Sequence, residues 1–175
     1  MTRYHEDLVA GQRLAHRRGH TVSESDNQFL SLLTMNTAQT HFNHESMATY
    51  MDGAFPRPLL NACVALGLAV GLTSEDLTEN ALADLAIDDV RMPAPVFVGD
   101  TLHVESEILA TDGPSPRPDA GVLVYALRAH KTVDGTPVTV LHATRTVLVK
   151  RAASWRERDV AHRRARRPQD HPLPS

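Results

Sequence analysis

The stretch TMNTAQTH, residues 34–41, places an amide five positions ahead of an imidazole: Asn36 and His41. An imidazole titrates near neutrality, so it can take up a proton and return it within one reaction cycle. The amide can orient water or substrate through its carbonyl and NH2, but it is no general acid or base at neutral pH. The pair reads either as a proton-transfer site with an amide where a carboxylate is usual, or as a polar loop holding one satisfied histidine. Glu45, about one helical turn beyond His41, is the carboxylate placed to serve instead. Gln39 and Asn43 flank the histidine as further contacts for water or substrate.

His41, His44 and Glu45 also spell H-x-x-H-E, which invites a metal reading. The spacing differs from that of the zinc proteases and no third ligand announces itself, so no metal is expected. Asn61 either caps the helix that follows it or touches substrate. Arg57 and Arg91 carry the fork that pairs with a carboxylate or phosphate, or are ordinary surface arginines. Cys63 lies in an apolar run without an evident base and reads as core rather than nucleophile. His130 and His142 sit in strand-like segments as surface or packing groups.

These residues need elements to hold them. Ser23 with Asp26 resembles a capping box, and Phe29, Leu30 and Leu33 recur at helical spacing, so a short helix is expected over 24–34. HESMATYMDG adds a turn or two, stopped by Gly53. Pro56 and Pro58 lead into LLNACVALGLAVGL, apolar on every side, which predicts a helix buried all round. From residue 82 onward the segments ALADLAIDDVRM, DTLHVESEIL, AGVLVYALRAHKT and PVTVLHATRTVLVK read as strands of an antiparallel meander. Asp134-Gly135 marks the hairpin between the last two, and RLAHRRGHTV adds an edge strand near the front. An apolar helix needs cover on all faces, and a sheet wrapped around it supplies that in an α+β domain.

The 175 residues, 42% of them hydrophobic, suffice for one core and one domain, expected over residues 1–150. A net charge of −3 gives no global pull toward nucleic acid or an anionic membrane. One cysteine excludes an internal disulfide and a cysteine-rich metal site. The first residues carry no apolar leader and no apolar run is long enough to span a bilayer, so a soluble cytoplasmic protein is expected. Residues 151–175 hold seven arginines against three acidic residues, end in prolines, and read as a basic, solvated or disordered tail.

Three segments, TMNTAQTH (34–41), RPLLNACV (57–64) and VRMPAPVFVGDTL (90–102), together resemble the MaoC-like, (R)-specific enoyl-CoA hydratases of the hot-dog fold. The family's S/T-G-D-x-N-P-x-H loop is similar to the first, its RPIVHGM helix start to the second and its VRFLAPVFPGDTL to the third. LTMNT, ENALADLAIDDVR and SPRPDAGVL point to the single-domain branch acting on mesaconyl-CoA or β-methylmalyl-CoA. The resemblance covers roughly residues 5–150. It implies a single hot-dog fold, an antiparallel sheet around a buried central helix, acting as a homodimer on acyl-CoA thioesters without cofactor or metal.

By that resemblance Asn36 falls on the catalytic aspartate, His41 on the catalytic histidine, Asn61 on a histidine and Ala62 on a glycine. Hydration of a 2-enoyl thioester needs a base for water, an acid for C2 and a donor for the enolate oxygen. His41 suits the first two, with Asn36 positioning the water. The Ala62 N–H, at the start of the apolar helix, suits the third. Two other readings stay open: an enzyme acting on acyl-carrier-protein substrates, with the basic tail as docking arm, and a non-catalytic acyl-CoA-binding module. No nucleic-acid or membrane partner is expected.

Overall fold

The computed structural model describes residues 3–165. The first strand, β1 (Arg13–Thr21), lies at one edge of a five-stranded sheet. Helix α1 (Glu24–Leu33) follows, opened by the capping box the sequence announces. Ser23 Oγ accepts the Asp26 N–H at 3.0 Å, and the Asp26 carboxylate accepts the Ser23 N–H at 2.8 Å. Of the periodic apolar residues only Leu30 packs against the core. Phe29 is 67% and Leu33 69% exposed, whereas Asn27 and Ser31 are buried. Beneath Asn27 lie the His41 and Leu59 carbonyls and the Asn61 N–H, backbone groups that a polar side chain satisfies.

Beyond α1 the chain makes short 3-10 turns at Gln39–His41, Ser46–Ala48 and Tyr50–Gly53. Helix α2 (Ala62–Thr73) begins four residues beyond Pro58, with Asn61 as its N-cap. The intervening Leu59 bridges to Phe97 instead. A π-helical turn, Ser74–Thr78, leads to β2 (Ala81–Arg91). Then come β3 (Thr101–Ala110), β4 (Ala120–Val133) and β5 (Thr136–Lys150).

All pairings are antiparallel, in the order β1-β3-β4-β5-β2. Only β3-β4-β5 is a meander; β2 joins beyond β5, at the edge opposite β1. Asp134 and Gly135 both take positive φ, 49° and 78°, as a type I′ hairpin turn requires. Helix α2 packs on β1, β3, β4 and β5, and Val64, Ala65 and Ala69 meet Leu102, Val104, Leu123 and Leu127 in the main core. In the single chain α2 is covered on this face only, not all round. Cys63, expected in the core, lies exposed on its open side with Gly67 and Gly71. One layer of sheet covers one face of a helix; the other face needs a second surface.

Residues 152–165, expected as a solvated extension, form helix α3 (Ala152–Ala165). Trp155 Nε1–H donates to the Asp119 carbonyl at 3.1 Å, and Asp159 accepts from Lys150 Nζ at 2.8 Å and pairs with the Tyr4 hydroxyl at 3.1 Å. Trp155 and Asp159 stand four apart on one helical face, so both reach the body together. The rest of the expected tail, 166–175, lies outside the described residues. Among the described residues no helix is long and apolar enough to cross a membrane.

Candidate active site

Met35, at φ 58°, turns the chain sharply out of α1 and aims Asn36 back toward the loop. Asn36 Oδ1 accepts the Ala38 N–H at 3.0 Å. That bond fixes which end of the amide is oxygen, so its NH2 is the end that meets His41 Nε2, at 3.2 Å. On the other side of the ring, Nδ1 lies 2.8 Å from the Leu59 carbonyl. A carbonyl oxygen accepts only, so Nδ1 carries the proton and Nε2 keeps its lone pair. The imidazole is thereby held in one tautomer with its basic nitrogen facing Asn36. The amide expected to hold water contacts the ring directly.

His41 is half-buried and lines a cleft of about 250 Å³ with Asn27, Gln28, Phe42, Arg57 and Val98 among its walls. Arg57 is fixed there by a 2.8 Å bond to the Val98 carbonyl and by stacking over the Phe97 ring at 5.2 Å. Asp100 balances it at 3.8 Å and also binds the buried Lys131 at 2.6 Å. Arg57 is the cleft's cation.

The other residues proposed from sequence are distributed as follows. Gln39 and Asn43 are joined to each other at 3.1 Å and do not line this cleft. Arg91, exposed at the end of β2, does not line it either. Asn61 is only 3% exposed; its Oδ1 accepts the Cys63 N–H at 3.0 Å and its NH2 reaches Thr34 Oγ1 at 3.4 Å. It is a helix cap and not a surface open to substrate. Ala62 follows it at the first position of α2, where an N–H has no intrahelical acceptor. Glu45 is exposed, and its neighbour His44 turns toward Glu24 at 3.6 Å rather than toward His41.

The sequence reading missed Asn27. Its NH2 donates to the His41 carbonyl at 2.9 Å and the Leu59 carbonyl at 3.1 Å, and its Oδ1 accepts the Asn61 N–H at 3.2 Å. One signal was available: Asn27, Ser31 and Thr34 form a polar stripe at helical spacing, opposite Phe29 and Leu33.

Asp26 caps the helix that carries Asn27. The Ser23 N–H holds its carboxyl below the usual carboxylate range, with His20, 3.0 Å away, adding to the effect against partial burial.

Chemically, a ring whose basic nitrogen meets only an amide NH2 can move a proton to and from a bound molecule, and the N-terminus of α2, tied to the His41 segment through Asn27, can hold developing negative charge.

Over residues 3–171 the sequence matches the profile of the mesaconyl-CoA hydratases, which takes in most of the segment expected as a tail. It is 34% identical over 118 residues to a β-methylmalyl-CoA dehydratase of Chloroflexus aurantiacus, spanning 67% of this chain and 32% of that one. To a mesaconyl-CoA hydratase of Cereibacter sphaeroides it is 31% identical over 125 residues, 71% of this chain and 34% of the relative. The chain thus spans about a third of the length of these curated relatives, and the single-domain expectation does not describe them. A MaoC domain dehydratase structure from Chloroflexus aurantiacus superposes with a TM-score of 0.76 at 31% identity, over 86% of this chain and 45% of that one. A Mycobacterium tuberculosis protein with a double hotdog fold does so at 0.71 and 23% identity, over 87% and 46%. That last likeness carries the fold alone: one hot-dog unit.

Proposed function

Because the chain belongs to the mesaconyl-CoA hydratase family, we propose that it is a hydro-lyase adding water to, or removing it from, the 2,3-double bond of an enoyl-CoA thioester. Mesaconyl-CoA and β-methylmalyl-CoA are the substrates its relatives' names suggest. The observation that carries this reading is the imidazole held between Leu59 and Asn36, with Nε2 as its one available base.

In hydration, water displaces the Asn36 NH2 from Nε2 and takes a hydrogen bond from that same NH2. His41 Nε2 removes the water proton as the oxygen bonds to C3, and the double-bond electrons pass to the thioester oxygen. The Ala62 N–H stabilises that enolate; a donor of this kind is worth about 2.7–4 kcal/mol. Collapse of the enolate takes the proton from His41 Nε2–H to C2, so water's two parts are delivered to one face. Nδ1–H stays on the Leu59 carbonyl throughout. Arg57 serves a carboxylate of the acyl group or a CoA phosphate. Dehydration is the reverse sequence.

A second copy of the chain fits the surfaces left open. The outer side of α2 is apolar, and the free edge of β2, where Leu85 is 49% and Ile87 40% exposed among three aspartates, is unpaired among the described residues of the single chain. The free thiol of Cys63 suits a reducing compartment such as the cytoplasm.

Loss of the enoyl absorbance on mixing with mesaconyl-CoA, with crotonyl-CoA in parallel, tests the reading. His41→Ala is expected to lower kcat by about 10²–10⁴, the usual contribution of a general acid–base. Turnover unchanged in His41→Ala removes the mechanism; no turnover of either ester by the wild type removes the assignment.

A further inference from the structure

We propose that Asn27 is a positioning residue of this site, a buried amide that ties His41 and the N-terminus of α2 into one frame. The role of His41 is taken from the reading above; the frame itself is geometry. Asn27 is 1% exposed, and its side-chain amide makes four hydrogen bonds. Its NH2 holds the backbone carbonyl of His41 and the carbonyl of Leu59. The Leu59 oxygen is also the acceptor that orients the ring through Nδ1. Asn27 Oδ1 takes the Asn61 N–H, one peptide before the Ala62 N–H, and the Ser31 hydroxyl at 3.4 Å.

A plain core amide would fill its needs from any nearby groups. Three of these four partners belong to the two segments that carry the base and the oxyanion donor. An amide with two donors and an acceptor is the side chain that can bind two carbonyls and one N–H at once. Alanine removes the amide partner of the His41 carbonyl and the Asn61 N–H and leaves the Leu59 carbonyl with the imidazole alone, and aspartate turns an acceptor toward both carbonyls.

The test compares wild type, Asn27→Ala and Asn27→Asp with Asn80→Ala as control. Asn80 is a 5% exposed asparagine whose NH2 binds the Arg3 carbonyl at 2.9 Å, outside the site. Nitrogen-15 spectra of the His41 ring read the tautomer, and steady-state kinetics on mesaconyl-CoA read kcat and KM separately. The wild-type ring is expected to show Nδ1–H alone. Both Asn27 variants are expected to mix the tautomers and to lose up to about 100-fold in kcat, the scale of a small misplacement of a reacting group, with little change in KM. Asn80→Ala is expected to lower the melting temperature while leaving ring state and kcat alone.

A folded Asn27 variant with the wild-type ring spectrum overturns the proposal, as does loss of tautomer order in Asn80→Ala. Should neither Asn27 variant fold, hydrogen exchange on the wild type decides: the Asn27 side-chain NH2 protons must exchange slowly, and fast exchange refutes the frame. Absence of turnover in the wild type would sink the hydratase reading while the ring spectra still judge Asn27.

Discussion

At His41 the two ring nitrogens meet partners of opposite kind, and that difference gives the ring a direction. Nδ1 faces an oxygen that can only accept; Nε2 faces an NH2 that can only donate. Asn36 therefore works without exchanging a proton. Its replacement by alanine also frees the Ala38 N–H. Asn36→Ala is expected to reduce kcat by a few-fold to about tenfold, since a net hydrogen bond is worth about 0.5–1.5 kcal/mol and 1.36 kcal/mol is a factor of ten. Steady-state kinetics check it; a loss as deep as that of His41→Ala would mean the amide does more than orient. Away from the site, Gly121 lies against the ring of the buried His5, whose Nε2 is 3.1 Å from the Val122 carbonyl. A Cβ there would overlap that ring, so Gly121→Ala is expected to destabilise by about 1–3 kcal/mol, as overpacking does. Thermal unfolding measures it.

Helix α1 shows what sequence periodicity conveys and what it leaves out. Its ends were legible: Ser23, Asp26 and the helical spacing beyond them mark a helix at the right place. Its inner face was not, because Phe29 and Leu33 look like core until one knows that polypeptide backbone lies beneath. The strands, the hairpin at Asp134-Gly135 and the edge position of β1 were equally plain, since alternation and turn chemistry are local. The placing of β2 beyond β5 depends on a long-range crossover and leaves no local mark. His41 and Asn36 were found from residue type and motif. Asn27 is a non-local hub, and its partners are backbone atoms that no side-chain pattern encodes. The cap itself can be tested. Ser23→Ala is expected to cost about 0.5–2 kcal/mol. Because the folded Asp26 carboxyl titrates below its ordinary value of 3.8, its contribution is full above that value. It is lost as pH falls through the lower folded value. Acid unfolding curves of Asp26→Ala should converge on those of the wild type at the lowest pH and separate above it.

For the molecule as a whole, the open surfaces matter more than the closed ones. A Cβ at Gly67 or Gly71 would meet nothing outside the helix within 4 Å in the single chain. If that face stayed in water, a side chain at Gly67 would be harmless or slightly favourable, since glycine weakens a helix by roughly 0.5–1 kcal/mol relative to alanine. In the proposed homodimer it is a place of close approach. Light scattering on the eluted protein is expected to give twice the chain's mass for the wild type and the single-chain mass for Gly67→Leu. A monomeric wild type, or an unaltered dimer in the variant, removes α2 from the interface. Helix α3 bears on the other end of the molecule. Asp159→Ala breaks its links to Lys150 and Tyr4 and is expected to lower the melting temperature without touching turnover.

Leu59 offers its N–H to the Thr40 carbonyl and its C=O to the imidazole, while its own side chain takes no part in either bond. The aim of the ring is thus written in main-chain atoms that nearly every amino acid possesses. Position 59 can drift among residues of similar bulk over evolutionary time and leave the ring where it is. Proline alone, lacking the hydrogen, would cut the tie to Thr40 that steadies the carbonyl at this position.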